Sequence, residues 1–315
     1  MKLSLIVLSI VSIIIFKCQN RNNQEYALVY NVLFDAENDN YEVFSMDLDG
    51  SSKKNITNLP GVEWTYLAVK DRVYFISDKD TSHRFYRLYQ CDYSGNNIKK
   101  ISDIRLADSW MSSRANGMEL IVRPSSKIDS AFYIIDLKGT LLQKLYTRLP
   151  FSNDPLFINN GEQVVFRGGK TKSKMIKGFS EELFIIDSNG ENLKQLTHYP
   201  SDDTSAAKFA YKAGPPRQHP VEEFISYQSM QDGKYSLFAI TPDGKKQWKL
   251  TESSQNEGWH DWSPDGKWLA IELFDDEQTQ FHIALMNWET KEMKVLTDTT
   301  YKYQQAPCFV LKNPI

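Results

Sequence analysis

One pattern of apolar and polar positions recurs six times along this chain of 315 residues. Each copy has an apolar strand followed by a short polar turn, and most copies continue into a second strand that ends in an apolar residue and Thr or Ser. The turns are marked by Gly50, Gly95, Gly139, Gly190, Gly244 and Thr290. Successive markers are 45, 44, 51, 54 and 46 residues apart. A period of this length, made of short strands and glycine turns, is typical of β-propeller blades.

Each repeat predicts four antiparallel strands. The third strand precedes the marker turn, and the fourth strand carries the apolar–Thr ending. The first two strands are clearest at 259–273, where Ser-Pro-Asp-Gly at 263–266 has the composition of a tight turn. Further second strands are predicted at 70–77, 116–122 and 160–166. In the fifth repeat the corresponding junction is interrupted by 211–220, which is predicted to be a Pro-rich loop on the opposite face from residue 259.

The two ends of the repeat region complete each other. Residues 26–34 have the pattern of a second strand that lacks a first strand, and residues 304–311 have the pattern of a first strand with nothing after it. We therefore expect the C-terminal strand to pair into the N-terminal blade and close the ring. The predicted fold class is all-β, a six-bladed β-propeller of four-stranded antiparallel blades.

The repeated motifs identify a family likeness. Trp259-His-Asp-Trp-Ser-Pro-Asp-Gly266, the apolar strand after it and the Leu296-Thr297 ending resemble the TolB-type propeller repeat, which also builds the propeller of the prolyl oligopeptidase family. The resemblance covers about residues 26–311 and is weakest at 108–122. It implies a propeller of the bacterial cell envelope that binds a protein or peptide at its channel mouth. The stretch between Cys18 and the first strand is short and polar, so the N-terminal domain of TolB is not expected.

The N-terminus predicts export. Lys2 precedes an apolar run at 3–16, which is too short to span about 30 Å of hydrocarbon and is typical of a signal peptide. Cys18 follows this run closely and predicts lipoprotein-type cleavage and lipidation, with an uncleaved anchor as the alternative. We expect a periplasmic protein or an anchored lipoprotein that touches the membrane only through this end. The predicted domains are a signal peptide at 1–18, a flexible tether at 19–25 and the propeller at 26–315.

Composition narrows the class of partner. The chain has 37 basic and 40 acidic residues, scattered along its length, and a net charge of −3. No basic field favours nucleic acid, so none is expected as a partner. Cys91 and Cys308 fall in strands of different blades, which favours buried thiols over a disulfide. We expect a monomer.

The sequence leaves one catalytic alternative open. The Gly-x-Ser-x-Gly elbow of an oligopeptidase-type hydrolase is missing from the sequence, and the five histidines have no metal-binding spacing. His260 and Asp261 lie in a predicted innermost strand, where side chains alternate, so only one of the two can face the channel. If that site were catalytic, the protein would be a propeller-type polysaccharide lyase or hydrolase, with a divalent metal in the channel. Otherwise no cofactor is expected.

Two further features are candidates for binding. Alignment of the repeats places Trp64 and Trp110 at the position of Trp259, and Asp154, Ala206 and Ala306 in the other three copies. Tryptophans at a channel mouth suit stacking on a sugar or holding a peptide, and packing between blades is the alternative. A long loop on the same face carries Lys170, Lys172 and Lys174. These lysines are either contacts for a partner or ordinary solvated charges. The main hypothesis is a non-enzymatic binding or scaffolding propeller, with an envelope protein, a peptide or a carbohydrate as its ligand.

Overall fold

The computed structural model describes residues 25–170, 181–200 and 212–312. Six four-stranded antiparallel sheets make up this part of the chain and confirm the predicted six-bladed β-propeller. The predicted signal peptide and most of the tether lie outside the described residues. Within the described residues, no helix has the length and apolar character needed to cross a membrane.

The strands are short and follow one another along the chain. In order they are β1 (Tyr26–Asp35), β2 (Asn40–Asp47), β3 (Lys54–Asn55), β4 (Glu63–Val69), β5 (Arg72–Ser77), β6 (Tyr86–Asp92), β7 (Lys99–Leu106), β8 (Ser112–Arg114), β9 (Glu119–Val122), β10 (Phe132–Asp136), β11 (Leu141–Leu145), β12 (Phe151–Ile158), β13 (Gln163–Gly169), β14 (Glu182–Asp187), β15 (Lys194–Gln195), β16 (Arg217–Gln218), β17 (Ile225–Gln231), β18 (Lys234–Ile240), β19 (Gln247–Lys249), β20 (Asn256–Trp262), β21 (Trp268–Phe274), β22 (Phe281–Asn287), β23 (Met293–Val295) and β24 (Gln304–Leu311).

The blades run from the innermost strand to the outermost strand in chain order, with one exception. Blades 2 to 6 are β4–β7, β8–β11, β12–β15, β16–β19 and β20–β23. Blade 1 has the order β24-β1-β2-β3, so the last strand of the chain is its innermost strand. We call the face on which the innermost strands begin the entrance face, and the face on which they end the exit face.

The ring closes through β24, as the sequence predicts. This strand is antiparallel to β1, with Leu311 opposite Tyr26 and Gln304 opposite Val32. Cys308 lies within it and is a buried free thiol, as is Cys91 in blade 2, in agreement with the prediction. The two ends of the chain are therefore held in a single sheet.

Two acidic side chains of blade 6 contact the closing strand from its other side. The Ala306 N–H donates to Glu272 at 3.1 Å, and the Phe309 N–H donates to Asp261 at 2.9 Å. Glu272 is only 4% exposed, and burial raises its pKa from 4.5 to about 8. Near neutral pH this side chain is therefore largely protonated in the folded protein.

The Thr that ends the repeated phrase has a definite structural role. In blade 4 the Thr197 hydroxyl accepts a hydrogen bond from the Leu183 N–H at 2.8 Å and donates to the Glu182 carboxylate at 2.6 Å. In blade 1, Thr57 likewise donates to Glu42. The recurring Thr thus satisfies polar groups at the start of the third strand, where they would otherwise be buried without partners.

The structure corrects the prediction of a Pro-rich loop at 211–220. Arg217 pairs with Ser226 of β17, so this segment contains the innermost strand of blade 5. The two prolines at 215–216 lack N–H donors and limit β16 to two residues, which conceals the strand in the sequence. The blade 5 position that the repeat alignment assigned to Ala206 therefore belongs to this segment, and Ala206 itself lies outside the described residues.

We predict that removing β24 destabilises the whole ring. A variant that ends at Tyr303 exposes the inner edge of β1 and leaves Glu272 and Asp261 without their backbone donors. Its unfolding temperature, followed by circular dichroism, should fall by about 10 °C or more, because several kcal/mol of stability are lost. A variant that ends at Lys312 is the control and should unfold like the full chain. Equal unfolding temperatures for the Tyr303 variant and the full chain would contradict closure through β24.

We also predict that Glu272 makes the fold less stable as the pH rises. The carboxyl loses its proton near pH 4.5 in the unfolded chain and near pH 8 in the folded protein, so stability falls across this interval. Glu272→Gln keeps an acceptor for the Ala306 N–H and removes the titration. In urea unfolding the variant should lose less stability than the wild type between pH 5 and 8, by up to a few kcal/mol.

The matched control for this experiment is Glu289→Gln, which changes an exposed carboxyl. Its dependence on pH should equal that of the wild type. If Glu272→Gln also showed the wild-type pH dependence, the buried carboxyl would not titrate as the structure requires.

Candidate functional site

Four aromatic side chains meet in the channel, and we call them the aromatic cluster: Trp64, Tyr66, Trp110 and Trp259. Trp259 stands edge-to-face against the other three, with ring centroids 6.0 Å from Trp64, 6.4 Å from Tyr66 and 6.1 Å from Trp110. Tyr66 also packs on Trp110 at 4.9 Å. These residues come from blades 2, 3 and 6, so the cluster joins different sides of the ring.

The three tryptophans of the predicted mouth are not equally accessible. Trp64 and Trp110 are buried, at 6% and 3% exposure, which fits the packing alternative. Trp259 is partly exposed. Only Trp259 of the three is therefore available to a ligand without rearrangement.

A carboxylate lies beside the cluster on the entrance face. Asp108 is exposed and precedes β8 on this face, and its side chain accepts a hydrogen bond from the Tyr66 hydroxyl. Burial raises the pKa of Tyr66 well above its ordinary value, so the hydroxyl stays a donor. Asp108 and Trp259 both contact Tyr66, which places an acceptor and an aromatic ring next to each other.

A buried polar network lies beneath the entrance face. The Asp154 carboxylate accepts from the Trp110 N–H at 2.9 Å and from Arg167 at 2.8 Å. Arg167 also donates to Glu181 at 2.6 Å. Lys170 follows β13 on the entrance face and is exposed, whereas Lys172 and Lys174 lie outside the described residues.

His260 and Asp261 point in different directions, as the alternation of a strand requires. His260 is 2% exposed, and its Nε2 lies 2.7 Å from the Ser226 hydroxyl of blade 5. Burial lowers its pKa to about 3, so the imidazole is neutral at ordinary pH. The Asp261 side chain is 24% exposed and faces the channel, and burial raises its pKa. The channel residue of this pair is therefore the carboxylate.

Arg217 crosses the channel, a role that no motif in the sequence indicates. Its Nε donates to the His260 carbonyl at 3.2 Å, and its Nη2 donates to the Tyr66 carbonyl on the opposite blade at 3.3 Å. The guanidinium carbon lies 3.7 Å from the Trp110 ring centroid, and Nε is 3.6 Å from an Asp261 oxygen. A buried cation is thus compensated by a carboxylate, two carbonyls and an aromatic face.

Beyond Arg217 the channel widens into a cavity of about 650 Å³ that opens on the exit face, and we call it the exit cavity. Arg217 and Asp261 lie at its inner end, while Gln218 and Asn160 lie toward its opening. Arg217 therefore lies between the aromatic cluster on the entrance side and the exit cavity on the other side.

The structure shows where the residues of the catalytic alternative lie. Among the residues that the structure describes, no three His, Cys, Asp or Glu side chains are grouped so that they could hold a metal ion. His260 faces a neighbouring blade and does not face the channel. Of this pair, Asp261 is the residue that could act as a base in the channel, and its neighbour is the Arg217 cation.

These features define the class of protein as a six-bladed β-propeller whose central channel is filled by its own side chains. Its repeat and its fold are TolB-like: TolB from Acinetobacter baumannii is 14% identical with a TM-score of 0.65, over 90% of this chain and 66% of that chain. This chain therefore spans about two thirds of the length of that TolB. No family model and no curated protein matches the sequence.

Two other solved structures are similar to this chain in fold. A chain of the nidogen/laminin complex is 10% identical with a TM-score of 0.62, over 91% of this chain and 98% of that chain. An oligogalacturonate lyase from Vibrio parahaemolyticus is 9% identical with a TM-score of 0.50, over 86% and 74%. At these identities the likeness shows the fold alone, because one propeller fold serves unrelated functions.

We predict that Arg217→Met destabilises the protein by about 3 kcal/mol, because it leaves Asp261 and two carbonyls without their buried cation. Urea unfolding at neutral pH measures the loss. The control Arg148→Met alters an exposed arginine and should change stability by less than about 0.5 kcal/mol. Adding Asp261→Asn to Arg217→Met should recover part of the loss. A stability for Arg217→Met equal to that of the control would show that the crossing contacts contribute little.

Proposed function

We propose that this chain is an exported, non-enzymatic binding propeller of the bacterial cell envelope, and that it holds a protein or peptide at the entrance-side mouth of its channel. The observation that carries the proposal is Trp259, a partly exposed aromatic ring held against three other rings inside the mouth. Rigid, centrally placed tryptophans are the residues that most often dominate the energy of a protein interface.

The surroundings of Trp259 favour a particular kind of segment. Since three rings already fix its orientation, binding costs little further side-chain entropy. Asp108, which shares Tyr66 as a neighbour, offers an acceptor for a backbone N–H or a cationic side chain. The mouth therefore suits a segment with an apolar residue for Trp259 and a donor next to it.

Basic residues on the entrance face are a further part of the proposed binding site. Lys170 is exposed at the end of β13, and Lys172 and Lys174 follow it in the chain. We propose that these lysines contact acidic side chains of the partner. Because such contacts lie at the rim, they would affect the association rate and the salt dependence more than the final affinity.

The comparisons and the N-terminal sequence support the remaining parts of the proposal. The TolB-like fold and the nidogen/laminin complex are consistent with protein binding by a ring of this kind. Export rests on the apolar run at 3–16, and membrane attachment rests on lipidation at Cys18. The chain would act as a monomer, with no nucleic-acid partner.

The enzymatic alternative, a polysaccharide lyase or hydrolase, has weaker support. It rests on the similarity in fold to the oligogalacturonate lyase. The position of His260, neutral and turned into a blade interface, does not favour it.

The test is a peptide-library selection against the purified protein. We expect peptides of micromolar affinity with an apolar residue beside a basic one. Trp259→Ala should weaken their binding by about 30-fold, since loss of such an anchor costs about 2 kcal/mol, and Asp108→Asn should weaken the binding of those with a basic residue.

The control is Trp288→Ala, which removes a partly exposed tryptophan that follows β22 on the exit face and packs on His219 and Trp262. It should leave affinity unchanged, and circular dichroism should show that both tryptophan variants fold. Selected peptides that bind Trp259→Ala as tightly as the wild type would place the binding site elsewhere and overturn the proposal.

A further inference from the structure

We propose that the exit cavity is a second binding site and that it takes the end of an uncharged oligosaccharide. It lies on the opposite face from the proposed peptide site, and Arg217 and the aromatic cluster separate the two. The proposal does not depend on the proposed function, because it rests on a different set of residues.

The charges of the cavity favour a neutral ligand. Among the described residues that line it, Arg217 and Asp261 are the only charged side chains, and they lie 3.6 Å apart and offset each other. An anionic ligand would meet the Asp261 carboxylate, and a cationic ligand would meet the Arg217 guanidinium. Neither would find an uncompensated opposite charge, so the loss of its hydration would not be recovered.

The polar groups of the lining match hydroxyl groups. Asn160, Gln218 and Ser113 line the cavity, and in the described part of the chain their side chains make no hydrogen bonds to protein groups. Amides offer a donor and an acceptor side by side, and a sugar hydroxyl can accept from one and donate to the other. The Arg217–Asp261 pair presents the same combination at the inner end of the cavity.

The shape and the apolar walls fit the rest of a sugar. Leu67, Ala68 and Pro220 form the accessible apolar part of the lining and can pack against the C–H faces of pyranose rings. The volume of about 650 Å³ falls within the range of small-molecule sites. Since Arg217 closes the inner end, the cavity admits the end of a chain and not a chain that passes through.

The closed inner end of the cavity favours the end of a saccharide over the end of a peptide. A peptide terminus carries an ammonium or a carboxylate group, and either would be brought against the like-charged member of the Arg217–Asp261 pair. The end of a neutral saccharide carries only hydroxyl groups. The same ring therefore offers an aromatic mouth on one face and a charge-balanced polar cavity on the other.

The test measures binding of defined probes to the full protein by saturation-transfer NMR and titration calorimetry. The neutral probes are cellotriose, maltotriose and chitotriose, and the charged probes are trigalacturonate and triglycine. We expect saturable binding of at least one neutral trisaccharide. Both charged probes should bind at least about tenfold more weakly.

Variants at the opening locate the site without touching the buried pair. Asn160 has a positive φ of 53°, so Asn160→Gly removes its amide and keeps the turn. Asn160→Gly and Gln218→Leu should each weaken saccharide binding about tenfold. The control Asn116→Gly changes the corresponding turn of blade 3, where φ is 56° and the side chain lies outside the cavity lining. It should bind like the wild type, as should Trp259→Ala.

Three results would overturn the proposal: no neutral trisaccharide binds, a charged probe binds more tightly than every neutral one, or both cavity variants bind like Asn116→Gly. Thermal unfolding of each variant shows whether it is folded. Because Trp259→Ala is expected to affect peptides and not saccharides, failure of this proposal is distinguishable from failure of the peptide-binding proposal.

Discussion

The pairing of β24 with β1 is the constraint on which the rest of the structure depends. The first and last blades of a propeller are joined to each other only when the ring closes. Here the last strand of the chain is the innermost strand of the first blade. Glu272 and Asp261 extend this contact to blade 6. Asp261 therefore serves closure through one oxygen while its other oxygen faces Arg217, so the geometry of the channel and the closure of the ring are coupled.

The channel is organised by a single buried cation. Arg217 reaches from blade 5 to blades 2, 3 and 6, and a charge in this position is tolerated only because Asp261, two carbonyls and the Trp110 ring surround it. The same contacts close the passage between the two faces. A ring that could have been an open tube thus has two chemically different ends, one aromatic and one polar.

Much of the fold follows from the repeat, whereas the site follows only in part. Glycine turns and the Thr57 or Thr197 endings are local features, so they define blades and closure in the sequence. The alternation of His260 and Asp261 is also local, although which of them faces the channel depends on Ser226 of another blade. The position of Arg217 could not be predicted, because the adjacent prolines make its strand hard to recognise in the sequence. The burial of Trp64 and Trp110 could not be predicted either, because it depends on rings contributed by three blades.

The aromatic cluster has a cost as well as a packing energy. The indole N–H groups of Trp64, Trp110 and Trp259 are all buried, and within the described residues none has a hydrogen-bond partner. A buried donor without an acceptor costs stability, and Phe or Leu would fill similar space without that cost. The edge-to-face contacts of Trp259 with the other three rings offset this cost and hold blades 2, 3 and 6 together at the channel.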